Sequence, residues 1–356
     1  MEKRLRFHWS LSQAGDTFRK SKSSNTQSGL ANIEAQIALC QRAQECGIDS
    51  MLMAIGFTRP DPMLLSLMLG QKTEKIKFLV AVRPGLISPT LFVQQINTLS
   101  CLLNGRVHIN IVSGRSPQEH RYYGDFLNHD ERYQRTAEFL AICKAFWQQE
   151  GEVNFQGNFY QIEKGKINTP FVSPERSNPE IFLGGNSDSA AEIAGKYADC
   201  LWRFPEAPDK LKPQIQTVLE RGKEVGLLVS LITRPTQEEA EAAAQAIAVR
   251  VGDRAKEVIR EFNKQSDSEG YQSVFALSQK EQSPWLTPYL WTGAVPYLGP
   301  PAIALVGSYE NIAKAIIEYK AIGISQYLFM GWPDIEEMTH LAKGVIPLLR
   351  KSGVSC

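Results

Sequence analysis

The feature that most restricts this chain is an alternation of short apolar runs with helical patterns, repeated eight times. The runs occupy residues 6–11, 49–55, 75–82, 107–112, 180–183, 200–204, 227–233 and 326–330. Helical spacing fills the intervals, at 32–46, 61–69, 91–103, 131–148, a stretch after Gly184-Gly185-Asn186-Ser187 through Tyr197, 208–225, 238–251 and 310–322, and again after the last run at 335–349. Run 75–82 reads KIKFLVAV and is almost entirely apolar, as parallel strands covered on both faces tend to be. Local punctuation agrees: Gly47 closes one helix, while Asp61-Pro62 and Ser88-Pro89-Thr90 open two others. Eight strand–helix repeats predict an α/β fold, a (β/α)8 TIM barrel with insertions spanning residues 1–356 as one domain. A doubly wound sheet fits less well, because no GxGxxG follows the first run.

Two segments break the rhythm. Residues 151–170 predict a β-hairpin insertion around Gln156-Gly157. Residues 254–300 pass from charged helical sequence to the Pro- and aromatic-rich SPWLTPYLWTGAVPYLGPP, the expected place for a lid at the barrel mouth. A polar Ser-, Lys-, Asn- and Gly-rich loop is expected at 20–29.

Composition excludes several classes of partner. The net charge is +1 over 356 residues, which suggests neither nucleic acid nor an anionic membrane. No apolar run is long enough to span a bilayer, and the basic start MEKRLRFHWS lacks the apolar stretch of a signal peptide. The six cysteines form no CxxC pair and sit mostly in apolar patterns, so a reducing cytoplasm is expected. The five histidines show no HxH or HExxH spacing, and no metal site is expected.

In a barrel, chemistry belongs at the carboxyl ends of the strands. Residues 104–139 carry the clearest example. Asn104-Gly105 turns into a buried strand that empties through Ser113-Gly114 into a polar loop, and regular structure resumes at HDERY. Asn110 lies mid-strand between apolar neighbours, and a buried amide needs partners on a ligand or a neighbouring strand. His129 and Tyr133, four apart at a helix start, could share one ligand, or else serve as a helix end and a core tyrosine. Gly184-Gly185-Asn186-Ser187 leads into a helix, so its free N–H groups could cradle a phosphate. An ordinary cap running from Ser189 to Glu192 explains the same residues. Arg83 could face an anion or pair with a carboxylate at the rim. No nucleophile elbow, paired carboxylates or Walker loop accompanies them, which points to a phosphorylated cofactor for the hard chemistry.

Five motifs in order carry a family likeness: FLVAVRPGLISPT, NGRVHINIVSG, HDERY, NPEIFLGGNSDSAAEIA and ALVGS. The chain resembles the bacterial luciferase-like flavin monooxygenases over nearly its whole length, and most of all the alkanesulfonate monooxygenase branch. The resemblance implies a barrel that binds reduced FMN (FMNH2) from a separate NAD(P)H:FMN reductase. Oxygen then adds at flavin C4a, and the (hydro)peroxyflavin oxidises a small organic molecule. It also implies a homodimer or homotetramer. Carried over by motif, Tyr133, Gly185, Asn186 and Ser187 would hold the FMN phosphate. Asn110 and Ser113 would lie by the ring and ribityl chain with His129 nearby, and Ala54 and Arg83 complete the cofactor set. Asn110, His129, Arg59 and Ser230 are the catalytic candidates.

Departures from the branch lie elsewhere. Its first strand ends in a His where this chain has Ala14, and a Cys aligns with Arg59. Its seventh-strand Arg and His align with Leu228 and Ser230, a lid Arg with Leu298, and a Tyr with Thr339. Losing that cationic set argues for a substrate other than a simple alkanesulfonate. Ala14, Phe57, Trp202, Leu298 and Trp332, with Phe204 and Tyr297, are the expected lining. The alternatives are sulfonate or sulfone oxidation in sulfur scavenging, deazaflavin (F420)-dependent hydride transfer, and a non-catalytic flavin-binding barrel.

Overall fold

The computed structural model describes residues 3–12, 32–148, 151–251, 253–280 and 283–356. Its strands, in chain order, begin with β1 (Arg6–Ser10), β2 (Ser50–Met53), β3 (Lys77–Val82) and β4 (Val107–Ile111). β5 (Val153–Gln156), β6 (Gln161–Gly165), β7 (Ile181–Gly184) and β8 (Cys200–Arg203) follow. β9 (Glu224–Arg234), β10 (Leu290–Trp291), β11 (Ala304–Ser308) and β12 (Ile324–Met330) complete the set. Eight of them, β1-β2-β3-β4-β7-β8-β9-β12, pair in parallel and close into a barrel. Closure comes from β8 on β9, with Cys200 opposite Glu224 and Arg203 opposite Leu227. The eight expected runs are these eight strands, so the (β/α)8 barrel is the observed fold.

The helices form where their ends are satisfied. Asp61 accepts from the N–H groups of Met63 and Leu64 at 2.9 Å and starts the helix Pro62–Gly70. Ser88 caps Pro89–Leu102 in the same way. Ser187, not Ser189, caps Asp188–Tyr197, its Oγ accepting from Ala190 N at 3.2 Å.

Several local expectations are corrected. The helix expected over 208–225 ends at Glu220, because Gly222 turns at φ +73° and Glu224 already begins β9. Gly226, the glycine that follows the expected helix, falls inside that strand. It lies in β9 against Trp202, where a Cβ would come within 2.2 Å of the indole. Residues 304–308 form β11, which pairs with the far half of β9 from Ser230 to Arg234. The polar loop after β4 contains a helix, Pro117–Tyr122. β5 and β6 form a two-stranded antiparallel sheet, and within 254–300 lie much of the helix Asp253–Lys264, the helix Glu269–Lys280 and β10.

The barrel interior is layered. At the amino ends of the strands, buried His8 meets Ser50 Oγ through Nδ1 at 2.7 Å and Gln326 Oε1 through Nε2 at 2.8 Å. Arg6 donates to Glu180 at 2.7 Å and to Glu224 at 3.2 Å, so this polar layer is internally satisfied. Above it sits an apolar layer of Leu52, Leu79, Ala81, Phe182, Trp202 and Leu328, with Phe182 and Trp202 stacked at 5.2 Å. That layer is the floor on which the site is built.

Candidate active site

A cleft of about 510 Å³ opens over this floor at the carboxyl ends of the strands. β2 contributes Leu52 and the following Ala54, β4 contributes Asn110 and the following Ser113, and β7 runs into Gly184–Ser187. β8 adds Trp202 and Arg203, β9 Leu228 and β12 Leu328. The helices Asp253–Lys264 and Glu269–Lys280 border the same cleft through Phe262 and Tyr271.

One end gathers two hydroxyls at a helix start. Ser187 at the start of its helix donates to Tyr133 Oη at 3.4 Å. Gly185 has no room for a side chain: a Cβ would lie 2.4 Å from the Ala190 Cβ and 3.2 Å from the Tyr133 hydroxyl. Gly184 meets nothing within 4 Å and leaves its side of the strand open. Asn186 accepts from Phe204 N at 3.1 Å, which fixes the turn to the next strand. The His129 ring lies tilted beside that of Tyr133, 4.9 Å between centroids, and its Nδ1 meets Asp130 Oδ1 at 3.0 Å.

Toward the middle, several buried polar atoms have no protein partner. Asn110 is 5% exposed and its Oδ1 is unpaired; Trp202 is 3% exposed and its Nε1 is unpaired. Arg83 pairs with Glu119 at 3.1 Å, yet its Nε and Nη1 remain unmatched. The carboxylate of Glu119 also accepts from Phe57 N at 3.3 Å, so it ties β3's exit to β2's. Leaving a buried donor or acceptor unmatched costs about 1–3 kcal/mol. Finding several around one cleft means the cleft is shaped for a polar ligand.

Behind that rim, Arg135 holds Asp125 at 2.6 Å. Burial opposes ionisation of Asp125, but the Arg135 contacts keep its carboxyl below the usual carboxylate range. Burial and the neighbouring Arg132 and Arg83 push the His120 imidazole below its ordinary value. Arg132 donates to Ser113 O at 3.2 Å and to Asp267, joining the β4 loop to the segment between the two bordering helices.

The structure brings together Ala54, Phe57, Arg59, Arg83, Asn110, Ser113, His129, Tyr133, Gly185, Asn186, Ser187 and Trp202. Phe57 stands at the mouth, 59% exposed and edge-on to Tyr122. Four expected residues, Ser230, Tyr297, Leu298 and Trp332, are not among the lining. Ser230 is fully buried and donates to Pro301 O at 2.8 Å, because β9 continues past it to Arg234. Leu298 and Trp332 pack into a separate apolar cluster with Ile232, Ala304 and Val306. Tyr297 lies under Lys256, 4.7 Å from the ring centroid. Ala14 and the loop at 20–29 fall outside the described residues. Arg203 and Arg115 lie at expected strand exits but carry no expected role, and the aromatic pair that brackets Arg115 was not expected: its guanidinium lies 4.5 Å from the ring of Phe262 and 4.7 Å from that of Tyr271. The run LWRF held the only sequence signal for Arg203, a charge within an apolar strand.

No group of His, Cys, Asp and Glu side chains among the described residues could hold a metal ion, and no described helix is long and apolar enough to cross a membrane.

Comparison with known proteins supplies the family. The family model described as luciferase-like monooxygenase matches residues 5–326. EDTA monooxygenase from Chelativorans sp. BNC1 superposes with a TM-score of 0.79 at 16% identity, covering 99% of this chain and 95% of that one. Riboflavin lyase, solved with modified FMN and riboflavin, gives 0.75 at 19% identity, covering 99% and 93%. An F420-dependent secondary alcohol dehydrogenase gives 0.68 at 17% identity, covering 98% and 99%. Likeness at these identities speaks for the fold.

Proposed function

The chain is a member of the luciferase-like monooxygenase family, and from that premise we propose that it is an FMNH2- and O2-dependent monooxygenase. Its substrate on this reading is an organic molecule other than a simple alkanesulfonate. The observation that carries the reading is the set of unpaired buried polar atoms on Asn110, Trp202 and Arg83 around one cleft. That cleft has a capped helix start at one end and an apolar floor beneath.

Reduced FMN would supply the electrons that activate dioxygen. The remaining work belongs to the chain. Tyr133, Asn186 and Ser187 suit the phosphate, and Asn110 and Ser113 suit the polar edge of the ring and the ribityl hydroxyls. His129 supplies a ring nitrogen for proton transfer. Leu52, Leu228 and Leu328 keep water from the floor, which strengthens every polar contact made above it. The substrate reading rests on the same floor: Leu228 puts a branched alkyl group where a sulfonate would need a cation, and the Ser230 hydroxyl is committed to Pro301. An NAD(P)H:FMN reductase supplies the reduced flavin on this reading, and the enzyme works as a homodimer or homotetramer, which light scattering measures.

Reconstitution tests the function. The protein, a flavin reductase, NADH and FMN are supplied with 18O2 and a panel of apolar, sulfone and alkanesulfonate substrates. One labelled oxygen in an apolar product is the expected result. Labelled sulfite-releasing turnover of alkanesulfonates would restore the sulfur-scavenging alternative. Reduction of a substrate with F420H2, without oxygen transfer, would replace the reading altogether.

A further inference from the structure

Resting on the flavin reading above, we propose that His120, backed by Asp125, is a positioning residue that holds the Arg83 guanidinium toward the flavin from behind the cleft wall. His120 lies on the short helix Pro117–Tyr122 and is 1% exposed. Its Nδ1 is 3.3 Å from Asp125 Oδ2, out of line for a hydrogen bond, and neither ring nitrogen has a hydrogen-bond partner. Asp125 is itself gripped by Arg135, through Nη1 at 3.1 Å and Nη2 at 2.6 Å. The opposite edge of the imidazole faces the loop after β4. A Cβ on Gly114, at φ +82°, would lie 2.2 Å from His120 Nε2 and 3.3 Å from Arg83 Nε. A glycine at this position lets both side chains approach the same stretch of backbone.

The two unmatched groups are complementary. A carboxylate beside Nδ1 favours the neutral tautomer that carries its proton there, which leaves the Nε2 lone pair free. Arg83 Nε is a buried donor without a partner, so Nε2 is the acceptor behind it. Arg83 Nη2 is committed to Glu119 at 3.1 Å, and Nη1 is left for a ligand in the cleft. Protonation of His120 would turn a donor toward a donor and set a second positive charge beside Arg83. The charged groups around the imidazole are Asp125 from its own loop, Arg83 from the exit of β3, Arg132 from the helix His129–Gln148 and Asp267 from between the bordering helices. Burial, then Arg132 and Arg83, hold the imidazole below its ordinary value against the pull of Asp125 and Asp267. His120 is therefore neutral at neutral pH, and its support of Arg83 is lost on the acid side.

The competing role is packing alone. Fluorescence titrations with FMN between pH 5 and 8 compare wild type with His120→Phe, His120→Gln and Asp125→Asn, the ionisation of FMN itself being common to all four. Phenylalanine keeps a ring and removes both nitrogens, whereas glutamine restores an acceptor that does not titrate. Asp125→Asn presents an amide N–H to Nδ1 and so turns a ring N–H toward Arg83; it carries the test if His120→Phe fails to fold. At pH 8 the expected result is FMN binding about ten-fold weaker in His120→Phe and Asp125→Asn, one hydrogen bond's worth, with most of the loss recovered in His120→Gln. The ratio of wild-type to His120→Gln affinity is expected to be level above pH 7 and to fall below about pH 6.5, the ordinary histidine value. Variants that bind FMN as wild type does, or equal losses in His120→Phe and His120→Gln with a level ratio throughout, overturn the assignment and leave the flavin reading standing. Wild-type protein that binds no FMN overturns both.

Discussion

Tyr133 and Ser187 stand 54 residues apart in sequence, yet their hydroxyls meet at 3.4 Å at the start of the helix Asp188–Tyr197. The pair joins the helix after β4 to the turn after β7, so two of the motifs legible in the sequence converge on one spot. Phosphate recognition at that spot predicts that Tyr133→Phe and Ser187→Ala each weaken FMN binding by about ten-fold, one hydrogen bond's worth. Isothermal titration measures it. Undiminished affinity in both variants would remove the hydroxyls from the cofactor site.

Asn110 separates stability from function. Its Oδ1 is buried without a partner, between Ala81 and Phe182 in register. Replacing it by Leu removes an unmatched polar group, so the free protein should melt at the same temperature or higher. Flavin affinity and turnover should both fall. Calorimetry alongside a binding titration reads both quantities, and a lower melting temperature with unchanged flavin affinity would assign Asn110 to the barrel's own structure.

Much of this fold was legible before any coordinates. Apolar runs of four to eight residues alternating with helices are what a parallel sheet covered on both faces requires, so the eight barrel strands follow from pattern alone. Asn110 and Gly184–Ser187 stood out because a polar or glycine residue in such a run conflicts with packing unless something needs it there. What could not be read depends on where strands end in three dimensions. Ser230 has the sequence context of a rim residue, but β9 runs on beside β11 and buries it. The Arg115 bracket and the Arg132–Asp267 pair are contacts between distant segments, with no local periodicity to betray them.

Acid should destabilise the protein through the buried histidines beneath its barrel floor. Burial pushes the His8 imidazole down to about 4 and that of His108 down to about 3. Both are neutral when folded, and the unfolded chain takes up protons first. Their stabilisation is therefore complete above about pH 6.5 and is lost as pH falls toward those values, at up to about 1.4 kcal/mol per pH unit for each histidine. Urea unfolding at pH 7.5, 6 and 5 checks the sign. Stability that rises on acidification through this window would contradict the assignment.

Arg132 and Asp267 tie the loop after β4 to one border of the cleft. The pair connects Ser113 O to the segment between the two bordering helices, and Ser266 Oγ adds a bond to Arg115 O at 2.9 Å. Asp267→Ala should let water in and raise the fraction of reduced flavin oxidised without product, seen as hydrogen peroxide per NADH consumed. Tight coupling retained in this variant would mean that the segment does not guard the reaction.

The most direct test of the central claim is an anaerobic titration of the purified protein with FMNH2, run beside reduced F420. The account predicts saturable binding of one FMNH2 per chain, with reduced F420 binding much more weakly. It also predicts that Asn110→Leu and Tyr133→Phe weaken the FMNH2 complex. Failure of FMNH2 to bind, or preference for reduced F420, would contradict the account at its foundation.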